Sequence, residues 1–346
     1  MRKWIFGFLI LSAIILPVQA KAITAPPVPE DAVVMVPEQP ETFSEGLKKV
    51  LMEAVEYIYP ALRSAATTCV GVFAIVLLTS LIQNVPGSTQ KVTDMVATIS
   101  IALLLLSQSS TLIHMASDTV AEISEYGKLL LPVMTAGMAA HGGTATSAAL
   151  YTGTAFFDAL LSGLISSVVV PVLYIYLCLA VVSCATGEQV LSKLVDFVKW
   201  AVVWCLRVIL YVFTGYMGIT GVVSGTADAA ALKATKLTIS GMVPVVGGIL
   251  SDASEAVLVS AGLVKSAVGV YGVIVIIALW IRPFVEIGAQ YLLLKITAGI
   301  CDVFSVRSPV KLISHFSGAM GMLLAMTGSV SLLLMVSVVC LMRGVS

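Results

Sequence analysis

The chain has 346 residues, of which 59% are hydrophobic and 11% charged, and its mean hydropathy is +1.05. That composition excludes an ordinary soluble domain and predicts an all-α, polytopic helical membrane protein, because each crossing of a ~30 Å hydrocarbon core takes about 20 apolar residues in a helix. Formal net charge is zero, with 19 Lys and Arg against 19 Asp and Glu, so no overall field draws nucleic acid.

The chain opens with the layout of a signal peptide. Arg2 and Lys3 form a basic start, Trp4 to Ile15 an apolar middle, and Val18-Gln19-Ala20 a small-residue cleavage site after Pro17. Cleavage there puts the new N-terminus on the outer side of the membrane, and an uncleaved anchor, the alternative, gives the same side only if its basic end stays inside. Residues 21–44 follow as a Pro-rich acidic linker with Glu30, Asp31, Glu38 and Glu41, a composition that favours extended chain. Over 45–63, Leu47, Val50, Leu51, Ala54 and Ile58 recur at helical spacing opposite Lys48, Lys49, Glu53 and Glu56. This amphipathic helix suits a membrane surface, a partner or the protein's own bundle.

Residues 64–346 form the membrane domain. The clear spans are Ser64 to Gln83, Met95 to Ala116, Leu164 to Ser183, Ala201 to Val223, Ala256 to Ile281 and Gly318 to Met342. Leu129 to Ala140 is short, and Phe284 to Phe304 carries Glu286, Lys295 and Asp302, so each reads as a span, a half-helix or a re-entrant piece. The expectation is six to eight transmembrane or re-entrant helices. Glu188 to Lys199 reads as an in-plane helix, and Lys233, Lys236, Arg307 and Lys311 are the best cytoplasmic candidates.

Charged groups inside such a domain cost about 2.5–3.5 kcal/mol to insert and usually face the bundle interior. At about 100° per residue, Arg207, Tyr211, Thr214 and Gly218 share one helical face with Asp196. Glu255, Gly262, Lys265 and Gly269 fall on another. Asp158 and Glu286 are natural partners for Arg207 or Lys265. Both stripes read either as close helix packing on small residues or as a polar path.

Two Gly-interrupted breaks, His141 to Ser147 and Pro244 to Asp252, raise a second choice. Pro244, Gly247, Gly248 and Asp252 suit the broken backbone that transporters use at substrate sites. They suit equally a loop with Ser251 or Asp252 as helix N-cap and Glu255 behind it. The six cysteines and three histidines form no metal-binding spacing. A P-loop and a GxSxG elbow are also missing, so neither a cofactor nor conventional catalysis is expected.

Three blocks, GGTATSAAL (Gly142 to Leu150), TADAAALKATKLTISGMVPVVGGILSDASEAV (Thr226 to Val257) and GLVKSAVGVYGV (Gly262 to Val273), resemble the stage III sporulation protein AE family of endospore-forming bacteria in order and spacing. The resemblance runs from about residue 64 to the C-terminus. It implies a multi-pass cell-membrane protein of the mother cell, in the membrane that surrounds the forespore. The implied partners are the other stage III sporulation A-group proteins, including a cytoplasmic ATPase and ring-forming members, and indirectly the forespore's stage II sporulation protein Q. Together these would form a channel or secretion-like complex needed for forespore development and late forespore gene expression, with this chain as a permease-like component. A stand-alone secondary transporter and a purely structural anchor are the alternatives. No catalytic or ligand residues are carried over.

Overall fold

The computed structural model describes residues 26–29, 43–83, 90–140, 143–242, 247–304 and 306–343, with side chains for all of these except 221–266 and Arg343. The described residues are helical almost throughout, with no strand. In chain order the helices are α1 (Phe43–Gln83), α2 (Gln90–Ala140), α3 (Thr144–Leu164), α4 (Val170–Thr186), α5 (Gln189–Met242), α6 (Gly247–Asp302) and α7 (Arg307–Arg343). A five-residue π segment, Ile165–Val169, joins α3 to α4 without interruption. It lies just before Pro171, which cannot donate to the carbonyl of Ser167, and the wider π register absorbs that missing bond.

Counting α3 and α4 as one, six helices among the described residues are long and apolar enough to cross a membrane, the polytopic class that the composition predicts. In hydrocarbon a helix satisfies its backbone within itself. α1 has 41 residues and α2 has 51, roughly 60 and 75 Å of rise against a core of ~30 Å. Their ends therefore project well beyond the lipid.

That excess length explains where the structure departs from the segments expected above. The amphipathic stretch 45–63 and the span after it are one helix, α1, which runs through Pro60. Leu129 to Ala140 is the end of α2 and carries Pro132 within it. The segment expected in plane, Glu188 to Lys199, makes up the first turns of α5 rather than a separate helix. Ala256 to Ile281 and Phe284 to Phe304 join through Pro283 in α6. Charges in projecting turns meet water, so they do not end a helix. The signal segment and most of the linker lie outside the described residues. Of the linker, Pro26 to Pro29 is non-helical, and Val28 packs against the core.

Neighbouring helices alternate in direction. Gln83 Nε2 donates to Asp94 Oδ1 at 2.5 Å across the α1–α2 reversal. At the same end of the molecule, Gly187 closes α4 with φ +75° and donates its N–H to Ser183 O at 3.0 Å, a left-handed cap that glycine adopts without strain. There too, Lys311 Nζ of α7 donates to Ser192 Oγ of α5 at 2.6 Å. Six alternating spans put Lys233 and Lys236, past the crossing part of α5, on the side opposite Arg307 and Lys311.

Helices α6 and α7 form the centre. Within their apolar spanning windows 56% of residues are buried, against 22% for Gln189–Thr220 of α5. Phe316, Met320, Leu323, Val330 and Leu334 of α7 are all fully buried in the common core. α5 is thus a peripheral helix, and its placement decides the meaning of its polar stripe.

Candidate functional site

Among the described side chains, the polar residues singled out from the sequence lie in separate places. Asp158, on α3, is 4% exposed, and its Oδ2 accepts a hydrogen bond from Ser124 Oγ of α2 at 2.6 Å. Its Oδ1 is buried and has no hydrogen-bond partner among the described residues. One turn away, Thr154 Oγ1 donates to Ser337 Oγ of α7 at 2.9 Å, so hydroxyl and carboxyl groups tie α2, α3 and α7 together. Glu286 pairs with Arg282 of its own helix at 3.1 Å, and that guanidinium lies 5.8 Å from the ring centroid of Tyr57. Neither carboxylate partners Arg207.

Arg207, Tyr211, Thr214 and Gly218 do share a face, but the face is exposed and looks away from the bundle. Nothing lies within 4 Å of a Cβ built at Gly218. Phe197, Trp200 and Trp204 are exposed on the same helix, the two tryptophans stacked with centroids 5.9 Å apart. Gly269 is a packing position, since a Cβ there would come within 2.5 Å of Met342 and 3.0 Å of Met134.

Pro244 lies outside the described residues. Gly247, Gly248, Asp252, Glu255, Gly262 and Lys265 belong to the helical backbone of α6, which begins at Gly247, and their side chains lie outside the description. Ser251 and Asp252 therefore sit within the helix and do not cap it. At the other break α3 starts at Thr144, with Gly143 as its N-terminal boundary. Of the two readings of these breaks, the described residues match the plain loop: the segments on either side of His141 to Gly143 belong to long helices, α2 and the continuous α3–α4. The backbone has nothing to gain by breaking where continued helix satisfies every interior amide.

The structure brings together a different set of residues. At the end carrying the α4–α5 and α6–α7 reversals, Lys193, Lys199, Lys295, Arg307 and Lys311 border two clefts on either side of the first turns of α7. One, of about 370 Å³, lies between α4, α5 and α7 and is lined by Ser183, Glu188, Lys193, Arg307 and Lys311 among others. The other, of about 400 Å³, lies between α5, α6 and α7 and includes Lys199, Tyr291, Lys295, Asp302 and Ser314. Gly318 admits Lys199, whose Nζ lies 2.9 Å from where a Cβ would stand. Between the clefts Tyr176 donates its hydroxyl to His315 O at 3.1 Å, and its oxygen is 3.3 Å from His315 Nδ1.

Nothing in the sequence joins these residues, since Lys311 and its partner Ser192 are 119 positions apart. Their one shared signal is a position near a helix end. Chemically the clefts offer ammonium, guanidinium and hydroxyl donors, a set suited to holding an anion. Among the described residues no group of three or more His, Cys, Asp or Glu could hold a metal ion.

Comparison with known proteins points one way. The family model described as Stage III sporulation protein AE matches residues 35–344. A Bacillus subtilis (strain 168) protein named Stage III sporulation protein AE is 25% identical over 232 residues, which is 66% of this chain and 57% of that relative. The matched part thus spans little more than half of the relative's length. No solved structure matches the chain.

Proposed function

The chain belongs to the stage III sporulation protein AE family, and from that premise we propose that it is a permease-like membrane component of a channel or secretion-like complex between mother cell and forespore. Its place is the mother-cell membrane around the forespore. Its partners are the other stage III A-group proteins, including the ATPase and ring-forming members, and indirectly stage II sporulation protein Q of the forespore. Its role is non-enzymatic. The family match over residues 35–344 carries this reading, and six helices of spanning length support it.

In this reading the chain acts with partners and not as a self-sufficient transporter. Tyr126, Tyr176, Phe213, Phe316 and Met134 are among the largest fully buried side chains, and they fill the interior between helices. With a cleaved signal peptide and six crossings, the end bearing the two basic clefts faces the cytoplasm. Deletion in the native host tests the function: completed engulfment followed by a small, failing forespore is the expected phenotype, and normal spores would refute the proposal. Reconstitution into liposomes without partners should give no gradient-dependent uptake, and robust uptake would favour the stand-alone transporter.

A further inference from the structure

We propose that the cleft between the C-terminus of α4 and the N-termini of α5 and α7 is an anion site that binds a phosphate group, carried by a lipid headgroup or by a free phosphorylated solute. The inference does not rest on the channel reading; it rests on four observations at one place.

Charge is the first. Lys193, Arg307 and Lys311 line the cleft and Glu188 is the one acidic residue lining it, so three positive charges less one negative leave an excess of two. Lys311 Nζ is held by the hydroxyl of Ser192 at 2.6 Å, not by a carboxylate. The described residues give it no ion pair, and two of its three donors remain for a ligand. Lys193 and Arg307 are exposed, and the described residues give neither an ion pair.

The second is backbone polarity. Two long helices, of 54 and 37 residues, begin at this cleft. First-turn N–H groups have no acceptor within their own helix, and the positive end of the macrodipole favours an anion there. Helix α4 also ends here, but Gly187 N–H already takes the carbonyl of Ser183.

The third is an unused group. Ser183 lines the cleft and is 3% exposed, yet its hydroxyl has no hydrogen-bond partner among the described residues. Buried hydroxyls are normally paired. A phosphate oxygen bound in the cleft would supply the missing acceptor.

Depth is the fourth. Trp200 and Trp204 are exposed on α5, and such residues mark the membrane–water interface. Lys193 lies seven residues nearer the helix start than Trp200, roughly 10 Å at the helical rise. That is headgroup level, where a lipid phosphate and a phosphorylated solute can both arrive.

The test uses the full chain in nanodiscs, with thermal stability and native mass spectrometry as readouts. One arm compares phosphatidylglycerol with phosphatidylcholine discs. The other titrates inorganic phosphate against chloride at constant ionic strength in phosphatidylcholine discs. Stabilisation with retained phosphatidylglycerol identifies a lipid headgroup, and stabilisation by phosphate identifies the free anion. In either case the Lys193→Gln/Arg307→Gln variant should bind roughly 30-fold more weakly, from about 1 kcal/mol of attraction for each of the two basic residues near an anionic surface. Its stability in phosphatidylcholine discs without phosphate should match that of the native chain, because both side chains are exposed. Ser183→Ala should be no less stable than the native chain without ligand, yet should lose part of the ligand-induced increment. Native-like binding by the double variant, or no stabilisation by either probe, would overturn the proposal.

Discussion

Replacing Gly153 by alanine tests the α3–α5 contact directly. A Cβ at that position would stand 2.0 Å from Tyr216 Cε1, 2.6 Å from Cζ and 2.8 Å from the hydroxyl oxygen, whereas carbon pairs settle at about 3.5–4.0 Å. The ring has to withdraw by roughly 1.5 Å to restore that spacing. It is not free to do so, because its hydroxyl donates to Ala149 O at 2.9 Å and its ring leans on Phe157 at a centroid distance of 5.9 Å. Overpacking costs about 1–3 kcal/mol and the lost hydrogen bond about 1, offset by about 1 for alanine over glycine in a helix. The net expectation is a loss of about 1–3 kcal/mol, read by SDS-titrated unfolding in mixed micelles. In a Tyr216→Ala background the same substitution should be neutral or slightly stabilising, giving a coupling energy of at least about 1 kcal/mol. Gly215→Ala and Gly218→Ala, with nothing within 4 Å of the added carbon, serve as controls and should not destabilise. Equal stability of Gly153→Ala and the native chain, with additive effects in the double variant, would show that α3 and α5 do not meet as described.

Three further outcomes follow from the same contacts. Gln290 and Gln108 exchange side-chain hydrogen bonds at 3.2 and 3.4 Å; Gln290→Leu should cost about 0.5–2 kcal/mol in the same unfolding assay, and the Gln108→Leu/Gln290→Leu pair less than the sum of the singles. Asp158→Asn keeps an acceptor for Ser124 while removing a carboxylate whose second oxygen has no hydrogen-bond partner among the described residues. The variant should match or exceed native stability by up to about 1 kcal/mol, and a loss of more than 2 kcal/mol in that assay would reveal a charge pairing the described contacts do not include. In a cysteine-free background, Lys311→Cys and Lys193→Cys should react with a membrane-impermeant maleimide from one side and Lys48→Cys from the other; labelling of all three from one side would break the six-span arrangement.

Much of the architecture is legible in the sequence because lipid imposes a simple rule. Gly318 to Met342, apolar and free of charge, is a span on inspection and forms the core of α7. Segment ends are harder to read. Glu188 to Lys199 carries charges that argue for a boundary, yet helix continues through it, because α5 is much longer than the bilayer is thick. The stripe of Arg207, Tyr211, Thr214 and Gly218 shows a subtler limit. Its periodicity correctly places the four residues on one face, but period alone does not say which way a face looks. In a soluble protein the apolar side turns inward; in a membrane both the core and the surroundings are apolar, so amphipathicity loses its sign. The basic clefts lay further out of reach, because their members come from three or four helices and meet only through packing.

Glycine shows how the same residue carries opposite meanings in this bundle. At Gly127, Gly269 and Gly272 an added Cβ would lie 2.8 Å or less from Leu334, Met342 and Leu130 respectively, so these positions let α2, α6 and α7 approach closely. At Gly215 and Gly218 nothing stands above the backbone, and α5 turns them outward beside Thr214. Substitutions in the first group act on folding, and any loss of activity there is inseparable from loss of the bundle unless the facing side chain is trimmed as well. Substitutions in the second group leave every internal contact intact. A loss of activity at Gly215 or Gly218 with native stability would therefore locate the defect at the outer surface of α5, whereas the same loss at Gly153, rescued by shortening Tyr216, would locate it in the packing of α3 against α5.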